Sequence, residues 1–402
     1  MESLKFQPLQ AAMQQDAERK AFPDYLPHLP EIPAGRYCDP GFFKLEMAAM
    51  KHSWLFGIHG DDVPQPGCYK RWEQLGQPLL FVRGNDHKVR CFYNICRHRG
   101  GPLVLDDKGQ KRNISCPIHG WSYRLDGELA GVPERRDFNE ADLQRRSLLE
   151  VRCENLGEMY FINFDDKAMP LLDDLGPVAD AWMLYQPENS RLVSRHMLTV
   201  PANYKIVLDA NLEVYHVNFV HPEIVAKFLD SSASTINLLP NGHSTQASRL
   251  RQAEWNESGI DLPRVAEVTD ISRLANVAVH MYPNRIIAMN DWGYPLQNYW
   301  PVDEHTTQVE VLWFAPRSDV PQSDALWNEV AATFINVLEQ DYKFCAGMQT
   351  AMTSGANRGV LIGAQERSIY HMHEEMDRRI GIDLVPAHLR VRQVLNQRQA
   401  AA

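Results

Sequence analysis

Hydrophobic and polar residues repeat with different periods in different parts of the chain. From Cys68 to about Phe164 the apolar runs are short and alternating, as in PLLFVRG, KVRCFYNI, RNISCPI and MYFINF. Glycine, proline and an Asn-Asp dipeptide separate these runs, which is typical of a small antiparallel β domain. Before it, residues 41–57 have helical spacing and end at glycine, and the proline-punctuated first 45 residues predict one short helix and an extended arm.

The remainder of the chain predicts strands mixed with longer helices. RLVSRHMLTV predicts a strand that leads into a helix from about Tyr204 to His216. NVAVHMY, RIIAMNDW, LQNYWPV and TQVEVLWFAP predict a second set of strands, whose Trp292, Trp300 and Trp313 we expect to pack the second domain, some of them beside a pocket. A long helix is expected from about Ser323 to Met352.

Composition and charge exclude several classes of protein. A chain of 402 residues exceeds what one hydrophobic core usually serves, so we expect two domains. The net charge of −10 argues against a nucleic-acid partner. No apolar run is long enough to span a membrane, and the first residues lack a signal peptide's apolar segment, so we expect a cytoplasmic protein. Seven cysteines in such a chain indicate metal ligands or inert thiols, not disulfides.

Two cysteines and two histidines stand in a pair of matching motifs. The chain reads CRHRGGPL and then SCPIHGWSY, so Cys96-x-His98 is followed after seventeen residues by Cys116-x-x-His119. Each motif offers one thiolate and one imidazole. The neighbouring glycines supply the tight turns that let two such loops close on one metal centre.

Two kinds of metal site fit this set of ligands. Zinc would bind all four side chains tetrahedrally as a structural site. A Rieske 2Fe–2S cluster would take both cysteines on one iron and both histidines on the other, which raises its reduction potential. Zinc sites with two Cys and two His usually pair Cys with Cys and His with His, whereas each motif here carries one of each. The mixed pairing therefore favours the Rieske cluster.

A second candidate metal site lies in NYKIVLDANLEVYHVNFVHPE, residues 203–223. His216 and His221 are five residues apart, so on one straight helix they would point in different directions. Because His221 precedes Pro222, we expect it to leave the helical conformation and bend back towards His216. Two imidazoles and one carboxylate form the facial triad of non-heme Fe(II) oxygenases, which leaves positions open for oxygen and substrate.

These motifs resemble those of a known family. CRHRG and CPIHGWSY, with Trp121 and Tyr123 in the aromatic positions, are similar to the Rieske loops of the α subunits of bacterial ring-hydroxylating oxygenases, a group that includes related quaternary-amine monooxygenases. The resemblance implies an α+β protein with an N-terminal all-β Rieske domain and a C-terminal helix-grip (START-like) catalytic domain built on an antiparallel sheet. The corresponding boundaries are an arm and helix at 1–45, the Rieske domain at 46–167 and the mononuclear iron domain at 168–402.

The resemblance also implies roles for two acids. Glu213, three residues before His216, matches the family's bridging carboxylate, which links the mononuclear site to a Rieske histidine of a neighbouring subunit in a trimer. Many members carry Asp there, and the Glu form is more similar to the quaternary-amine monooxygenases. VLEQDYKFCAGMQTAM resembles the family's C-terminal ligand helix and makes Asp341 the third iron ligand, in preference to Glu339.

Other polar residues in these regions receive a structural interpretation. We expect Asp209 and Asn211 to lie on a helix surface or to make local hydrogen bonds. The stretch HMHEEMDRR, with His371, His373 and two glutamates, could pass for a metal site, but its charge favours a solvated helix face.

The resemblance implies a terminal oxygenase that hydroxylates an organic substrate with O2. Electrons would come from NADH or NADPH through a separate flavin and iron–sulfur reductase or a ferredoxin, because the chain has no G-x-G-x-x-G dinucleotide motif of its own. A homotrimer, or an α3β3 assembly with a β subunit, is expected, with no nucleic-acid or membrane partner. We rank an aromatic compound or aromatic acid first as substrate and a quaternary amine such as a betaine or carnitine second. A Rieske electron-transfer protein without oxygenase activity and a zinc-stabilised lipid-binding or scaffold module remain as alternatives.

Overall fold

The computed structural model describes residues 6–251, 262–318 and 324–395. The chain divides into two compact units, one formed by Lys51–Leu171 and the other by Met1–Met50 together with Leu172–Ala402. The N-terminal arm therefore folds with the C-terminal part of the chain.

The unit of residues 51–171 is built on antiparallel strands, as the alternating pattern predicted. Its larger sheet has seven strands, in spatial order Leu55–His59, Met159–Asn163, Glu150–Leu156, Val89–Tyr93, Leu79–Arg83, Cys68–Trp72 and Lys108–Gln110. Its smaller sheet has three, Ile114–Ser115, Ser122–Tyr123 and Leu129–Gly131. Short helices at Gly60–Asp62, Gln74–Gly76, Arg135–Asp137 and Glu140–Leu143 connect them.

One expected helix is shorter than its sequence pattern indicated. The helical spacing of residues 41–57 ends at Lys51, because the helix Pro40–Lys51 is followed by the strand Leu55–His59 and not by more helix. All five residues of that strand are buried. An apolar run buried on both faces has no period that separates strand from helix, which explains the error.

The second unit contains a seven-stranded antiparallel sheet, which we call the large sheet. In spatial order its strands are Ser190–Val200, Thr306–Pro316, Tyr294–Asp303, Arg285–Met289, Ala275–Met281, Ser244–Leu250 and Leu229–Leu238. A two-stranded pair, Ile32–Pro33 with Gly359–Val360, ties the N-terminal arm to the C-terminal region. The five strands predicted from apolar runs are confirmed.

Two strands of the large sheet were not expected, Leu229–Leu238 and Ser244–Leu250. Their sequences, LDSSASTINL and STQASRL, are rich in Ser, Thr and Gln. In the structure these polar side chains bond one another across the pair, as in Ser234 Oγ to Ser248 Oγ at 2.9 Å and Gln246 Nε2 to Ser234 Oγ at 3.0 Å. A hydrophobic pattern cannot predict strands whose buried positions are filled by mutually bonded polar groups.

Helices surround the large sheet. The α-helices are Phe6–Glu18, Pro40–Lys51, Leu171–Leu175, Pro177–Met183, Tyr204–Asp209, Val217–Val220, Val225–Phe228, Thr269–Leu274, Asp324–Thr353 and Arg367–Ile380. The 3-10 helices are Ala34–Tyr37, Pro187–Asn189, Pro240–Gly242, Ala266–Val268, Ala364–Glu366 and Ile382–Leu384. The long helix Asp324–Thr353 has 30 residues and agrees with its predicted bounds. No helix within the described ranges is both long and apolar enough to cross a membrane.

The helix Arg367–Ile380 contradicts the prediction of a solvated charged face. Its residues from Arg367 to Asp377 are all buried, including His371, His373 and Glu374. The reason is that the charged groups find partners inside the unit. Glu374 Oε1 accepts hydrogen bonds from the backbone N–H groups of residues 394 and 395. We call this element the buried helix.

Arg36 is the centre of this buried polar network. Its Nη1 lies 2.7 Å from Asp377 Oδ1, and both side chains are completely shielded from solvent. Its Nε donates to His373 Nδ1 at 2.9 Å, and His373 Nε2 lies 3.1 Å from the Tyr37 hydroxyl. Burial, with the charge of Arg36 beside it, holds the pKa of His373 well below its usual range. A neutral imidazole can therefore accept from Arg36 and donate to Tyr37.

Replacement of Asp377 by Asn tests whether this pair holds the arm against the buried helix. Asp377→Asn leaves the Arg36 charge buried without its counter-ion, and loss of one partner of a buried pair costs about 3–5 kcal/mol of unfolding free energy. The measurement is the urea-unfolding midpoint of the chain. The matched control is Asp383→Asn, since Asp383 is fully exposed and 3.9 Å from Arg390. Equal midpoints for the two variants would contradict the prediction.

Candidate metal centres

The two Cys-His motifs form a pair of equivalent tight loops in the unit of residues 51–171. In the first loop the Gly100 N–H donates to the Cys96 carbonyl at 2.9 Å, and in the second the Gly120 N–H donates to the Cys116 carbonyl at 3.0 Å. Both glycines have positive φ, 77° and 71°, which a residue with a side chain rarely adopts. This explains why each motif carries a glycine at that place.

The histidines of the two loops lie side by side. The rings of His98 and His119 are 4.8 Å apart, and His98 stacks on Trp121 at 4.8 Å with an interplanar angle of 7°. Phe138 meets the edge of His98 at 5.7 Å. His119 is exposed, whereas both cysteines of the motifs are buried and not in disulfides.

The loop residues fit a Rieske cluster by the chemistry of their donors. Two buried free thiols and two adjacent imidazoles are the ligands of a 2Fe–2S centre in which histidines replace cysteines on one iron. The Nδ1 atom of His98 is buried and bonds to nothing among the described residues. An orphaned ring nitrogen in this position is accounted for if it binds a metal.

The hydroxyl of Tyr123 holds the first loop in place. Its hydroxyl accepts the Arg97 backbone N–H at 2.9 Å and lies 3.5 Å from Cys96 Sγ, to which it can donate. Burial and the neighbouring Cys96 raise the pKa of Tyr123, so the hydroxyl keeps its proton. A hydrogen bond to a ligand sulfur is one of the protein's means of setting a cluster's reduction potential.

The second unit brings His216, His221 and Asp341 together. Their candidate ligand atoms all lie within 4.8 Å of one another. Asp341 Oδ1 is 2.8 Å from His221 Nε2 and 3.5 Å from His216 Nε2. Asp341 is 8% exposed, whereas Glu339 is exposed on another face of the same helix. Two imidazoles and one carboxylate facing a common point fit a mononuclear iron of the facial-triad type.

Hydrogen bonds to Nδ1 set the orientation of both imidazoles. Glu213 Oε1 makes a short hydrogen bond with His216 Nδ1, and Gln340 Oε1 lies 2.9 Å from His221 Nδ1. With Nδ1–H donated to these oxygens, each ring presents the lone pair of Nε2 to the common point. Burial alone would lower the pKa of His216, but the hydrogen bond to Glu213 and the charges of Glu213 and Asp341 together raise it.

The predicted helix from Tyr204 to His216 is wrong in its second half. It ends at Asp209, and a separate short helix, Val217–Val220, begins after His216 and ends before His221. The Asn211 amide donates to the Val207 carbonyl, and the Glu213 carboxylate accepts the N–H groups of the two residues that follow Val214. Such side-chain bonds to local backbone compete with helix continuation. The two histidines therefore lie on either side of one turn of helix. This explains how side chains five residues apart can face the same point.

Two buried contacts fix the start of this segment, one to the long helix and one to the helix Pro40–Lys51. Asn203 caps the helix Tyr204–Asp209 by accepting the Lys205 N–H, and its own N–H donates to Gln349 Oε1 on the long helix at 2.7 Å. Lys205 Nζ pairs with Glu46 Oε2 at 2.8 Å, with both side chains buried. The long helix also carries Asp341, so the contact between Asn203 and Gln349 helps to determine where the carboxylate meets the histidines.

Sequence reasoning missed some residues that support the two centres. Gln340 and Phe138 gave no signal, because neither residue type is diagnostic outside its three-dimensional setting. Asp209 was expected on a helix surface or in a local bond, but its Oδ2 accepts the hydroxyl of the distant Tyr37 at 2.7 Å. Burial raises the pKa of Asp209 to about 7.

A cavity of about 510 Å³ opens beside the triad within the second unit. His216, His221 and Asp341 line one end of it. Most of its other lining residues are apolar, and Trp292 and Trp313 are among them, as the sequence suggested. Trp300 is buried in the core and does not line it.

Two family descriptions match the chain. The family "Rieske [2Fe-2S] domain" matches residues 53–146, and "Ring hydroxylating alpha subunit (catalytic domain)" matches residues 187–382. Together they imply a Rieske cluster and a mononuclear iron. The second match argues against an electron-transfer protein that has only a Rieske domain, and the first argues against a zinc site.

Curated relatives cover both kinds of substrate. The chain is 30% identical over 232 residues to the glycine betaine monooxygenase oxygenase subunit of Chromohalobacter salexigens, covering 57% of this chain and 51% of the relative. It is 33% identical over 194 residues to the carnitine monooxygenase oxygenase subunit of Escherichia coli K12, covering 48% and 52%. A 2-aminobenzenesulfonate 2,3-dioxygenase α subunit of Alcaligenes sp. is 29% identical over 222 residues, covering 52% and 56%. The matches thus span about half the length of these relatives.

Solved structures show the same fold over nearly the whole chain. A quaternary ammonium Rieske monooxygenase superimposes with a TM-score of 0.74 at 23% identity, covering 88% of this chain and 99% of the other. The naphthalene 1,2-dioxygenase of Rhodococcus sp. superimposes with a TM-score of 0.72 at 18% identity, covering 95% and 100%. With its Rieske domain and its α-subunit catalytic domain, the chain belongs to the family of Rieske non-heme iron oxygenases.

Proposed function

We propose that the chain is the terminal oxygenase of a Rieske monooxygenase system that oxidises an N-methylated quaternary amine. The observation that carries the proposal is the convergence of His216, His221 and Asp341 at the end of a largely apolar cavity, in a chain that also has a Rieske domain. A triad with open positions facing a cavity suits oxygen insertion, and electron transfer alone would not need the cavity.

The comparisons favour a quaternary amine over the aromatic substrate that the sequence ranking put first. The curated relatives named above include oxygenase subunits for glycine betaine and for carnitine. Glu213 supports the same choice, because the Glu form of the bridging acid is the one that resembles quaternary-amine monooxygenases. The aromatic relative, the 2-aminobenzenesulfonate dioxygenase subunit, is slightly less similar at 29% identity. The naphthalene dioxygenase shares the fold at 18% identity and does not argue for its own substrate here.

The residues of the chain have separate tasks in this proposal. His216, His221 and Asp341 would hold iron, which when bound supplies the site for reductive activation of O2. Glu213 and Gln340 fix the two imidazoles so that Nε2 faces the metal position. Cys96, His98, Cys116 and His119 would hold the Rieske cluster. Apolar side chains around the triad exclude water from the reacting carbon.

The proposed partners are an electron donor and further copies of the chain. A flavin and iron–sulfur reductase or a ferredoxin would supply electrons. The trimer is supported by large apolar side chains exposed beside the candidate bridging acid, Tyr215 at 62% and Phe219 at 79%. On the Rieske unit, Ile118 is 58% exposed next to the exposed His119. Apolar groups at both places suit burial against a second copy, in which Glu213 of one copy would approach a Rieske histidine of another.

The substrate proposal is tested by oxygen uptake with NADH and a matched reductase. We expect uptake with N-methylated quaternary amines, accompanied by formaldehyde or the corresponding hydroxylated product, and none with the aromatic acids of the same panel. The Asp341→Ala protein is the control for uptake by the reductase alone. Uptake with aromatic acids only would overturn the substrate proposal, and uptake with neither class by the fully iron-loaded protein would count against the oxygenase itself.

Asp341→Ala tests the third iron ligand. The triad loses its only carboxylate, so the iron content should fall from about three to about two per chain, with the Rieske EPR signal unchanged. The measurements are metal analysis and EPR of the same sample. Glu339→Ala, two residues away and exposed, is the matched control and should keep all its iron. Full iron content in Asp341→Ala would remove Asp341 from the proposed ligands.

Glu213→Gln tests the bridging carboxylate. The amide keeps a hydrogen-bond acceptor for His216 Nδ1 but loses the charge, so we expect turnover to fall about 10- to 100-fold with both metal sites occupied. A role between the two centres predicts that the reduced Rieske cluster is reoxidised more slowly in a single turnover, which a purely structural role would not change. Glu339→Gln is the control, and wild-type reoxidation in Glu213→Gln would contradict the assignment.

A further inference from the structure

The cavity beside the triad is elongated along the long helix. Each residue of this helix that lines the cavity lies three or four residues from another one. They are Leu326, Glu329, Val330, Thr333, Phe334, Val337, Leu338 and Asp341. This spacing is one face of a helix, so the face borders the cavity from end to end. The fifteen steps from Leu326 to Asp341 correspond to about 22 Å at 1.5 Å per residue.

The large sheet forms the opposite wall. Its lining residues alternate along the strands, as in Asn276 with Ala278, Ile286 with Ala288, and Pro295 with Gln297. Alternate residues of a strand share one face of the sheet. The cavity therefore lies between one face of the helix and one face of the sheet, both of which continue well past the triad.

A charged pair lies at the end of the cavity remote from the triad. Trp292 stacks against Trp327 of the long helix with ring centroids 6.4 Å apart. Trp327 is fourteen residues before Asp341, or about 21 Å along the helix axis. Asp291, next to Trp292, pairs with Arg264, and both line the cavity.

Arg264 uses one of its guanidinium nitrogens to pair with Asp291. Its Nη1 contacts both carboxylate oxygens of Asp291 at 3.1 Å, and Asp291 is 1% exposed. The guanidinium is thus held in place by a buried partner that uses a single nitrogen, while a third of the side chain remains open. The planar fork of an arginine presents its other N–H groups to a second carboxylate or sulfonate. Arg273 and Glu329, both exposed, also line the cavity.

We propose that the substrate is an elongated amphiphile, with its oxidised carbon at the triad, an apolar chain along the cavity and an anionic group on Arg264. The inference rests on the proposed oxygenase function and specifies its substrate. The volume of about 510 Å³ is of the size that takes drug-sized ligands, about 300–1,000 Å³, whereas a betaine of a few carbons would leave most of it empty. The apolar walls between the two ends would bury a chain of methylenes or an aryl group.

A cationic group at the remote end is a weaker fit. Cation–π binding needs an open ring face, but Trp292 stacks on Trp313 and on Trp327 at interplanar angles of 22° and 18°. The ring of Trp292 is thus packed against two other indoles. Asp291, the buried acid at this end, is already neutralised by Arg264.

The experiment measures binding by calorimetry to the iron-loaded chain. The ligands are glycine betaine, γ-butyrobetaine, trimethylammonio-undecanoate and, as the probe without an anionic group, dodecyltrimethylammonium below its micellar concentration. We expect Kd to fall about four-fold for each buried methylene from glycine betaine to the undecanoate. Removal of the Arg264 charge should weaken the undecanoate about 10- to 100-fold and leave dodecyltrimethylammonium unchanged.

The variants are chosen so that misfolding cannot imitate the result. Arg264→Gln alone would leave Asp291 buried without its counter-ion, so the double variant Arg264→Gln/Asp291→Asn is measured as well. Arg358→Gln, at an exposed arginine outside the cavity lining, is the control.

Three outcomes would overturn the inference. Equal affinity for glycine betaine and the undecanoate would show that the substrate need not be elongated. Equal weakening of the acid and of dodecyltrimethylammonium in the Arg264 variants would show that Arg264 does not bind the anionic group. Tighter binding of dodecyltrimethylammonium than of the undecanoate would show that the remote end of the cavity does not favour an anionic group. Oxygen uptake is measured separately. Uptake with a short amine only rejects the elongated substrate but keeps the oxygenase, whereas tight binding of the long acid without uptake of any kind supports binding of the anionic group by Arg264 and rejects the oxygenase.

Discussion

The position of the long helix is the constraint on which the second unit depends. Asp341 must come within 2.8 Å of His221 although the two are far apart in sequence. Two contacts fix the position of the helix. Trp327 and Ala331 pack in one apolar cluster with Trp313 and Ala315 of the large sheet. Gln349 accepts the N–H of Asn203 at the start of the histidine segment. A shift of the helix by one residue would move Asp341 about 1.5 Å along the axis and turn it by about 100°. The carboxylate would then face away from the two imidazoles.

Buried charged groups around the histidine segment also fix the positions of the elements in the second unit. Lys205 and Glu46 pair in the interior, and Arg36, His373 and Asp377 form a second network that ends at Tyr37 and Asp209. Such groups add little net stability compared with apolar residues of the same volume, but each bond has one geometry. The N-terminal arm, the helix Tyr204–Asp209 and the buried helix are thereby tied to one another in a single register. This is a structural reason for an arm that the sequence pattern treated as a separate extended segment.

Sequence alone predicted the elements that repeat a pattern and the candidate ligands that form a motif. The alternating strands, the long helix and the spacing of Cys96, His98, Cys116 and His119 were readable because each depends on local order along the chain. Asp341 needed a family resemblance, since no local pattern marks one acid of a helix as a ligand. The polar strand pair and the buried helix were missed for a common reason. Both bury polar groups that are satisfied by partners elsewhere, and hydrophobicity is informative only where burial and apolarity coincide.

The break in the helix after Asp209 shows how a sequence rule can give the right conclusion for an incomplete reason. Pro222 does end the helical conformation at His221, as the residue before a proline is expected to do. The geometry nevertheless depends equally on Asn211 and Glu213, which end one helix and start the next. Glu213 thus both terminates the segment and orients His216. A residue with two such tasks is constrained twice, by the backbone it caps and by the imidazole it holds, so even the change from Glu to Asp would have to shift the loop to keep both bonds.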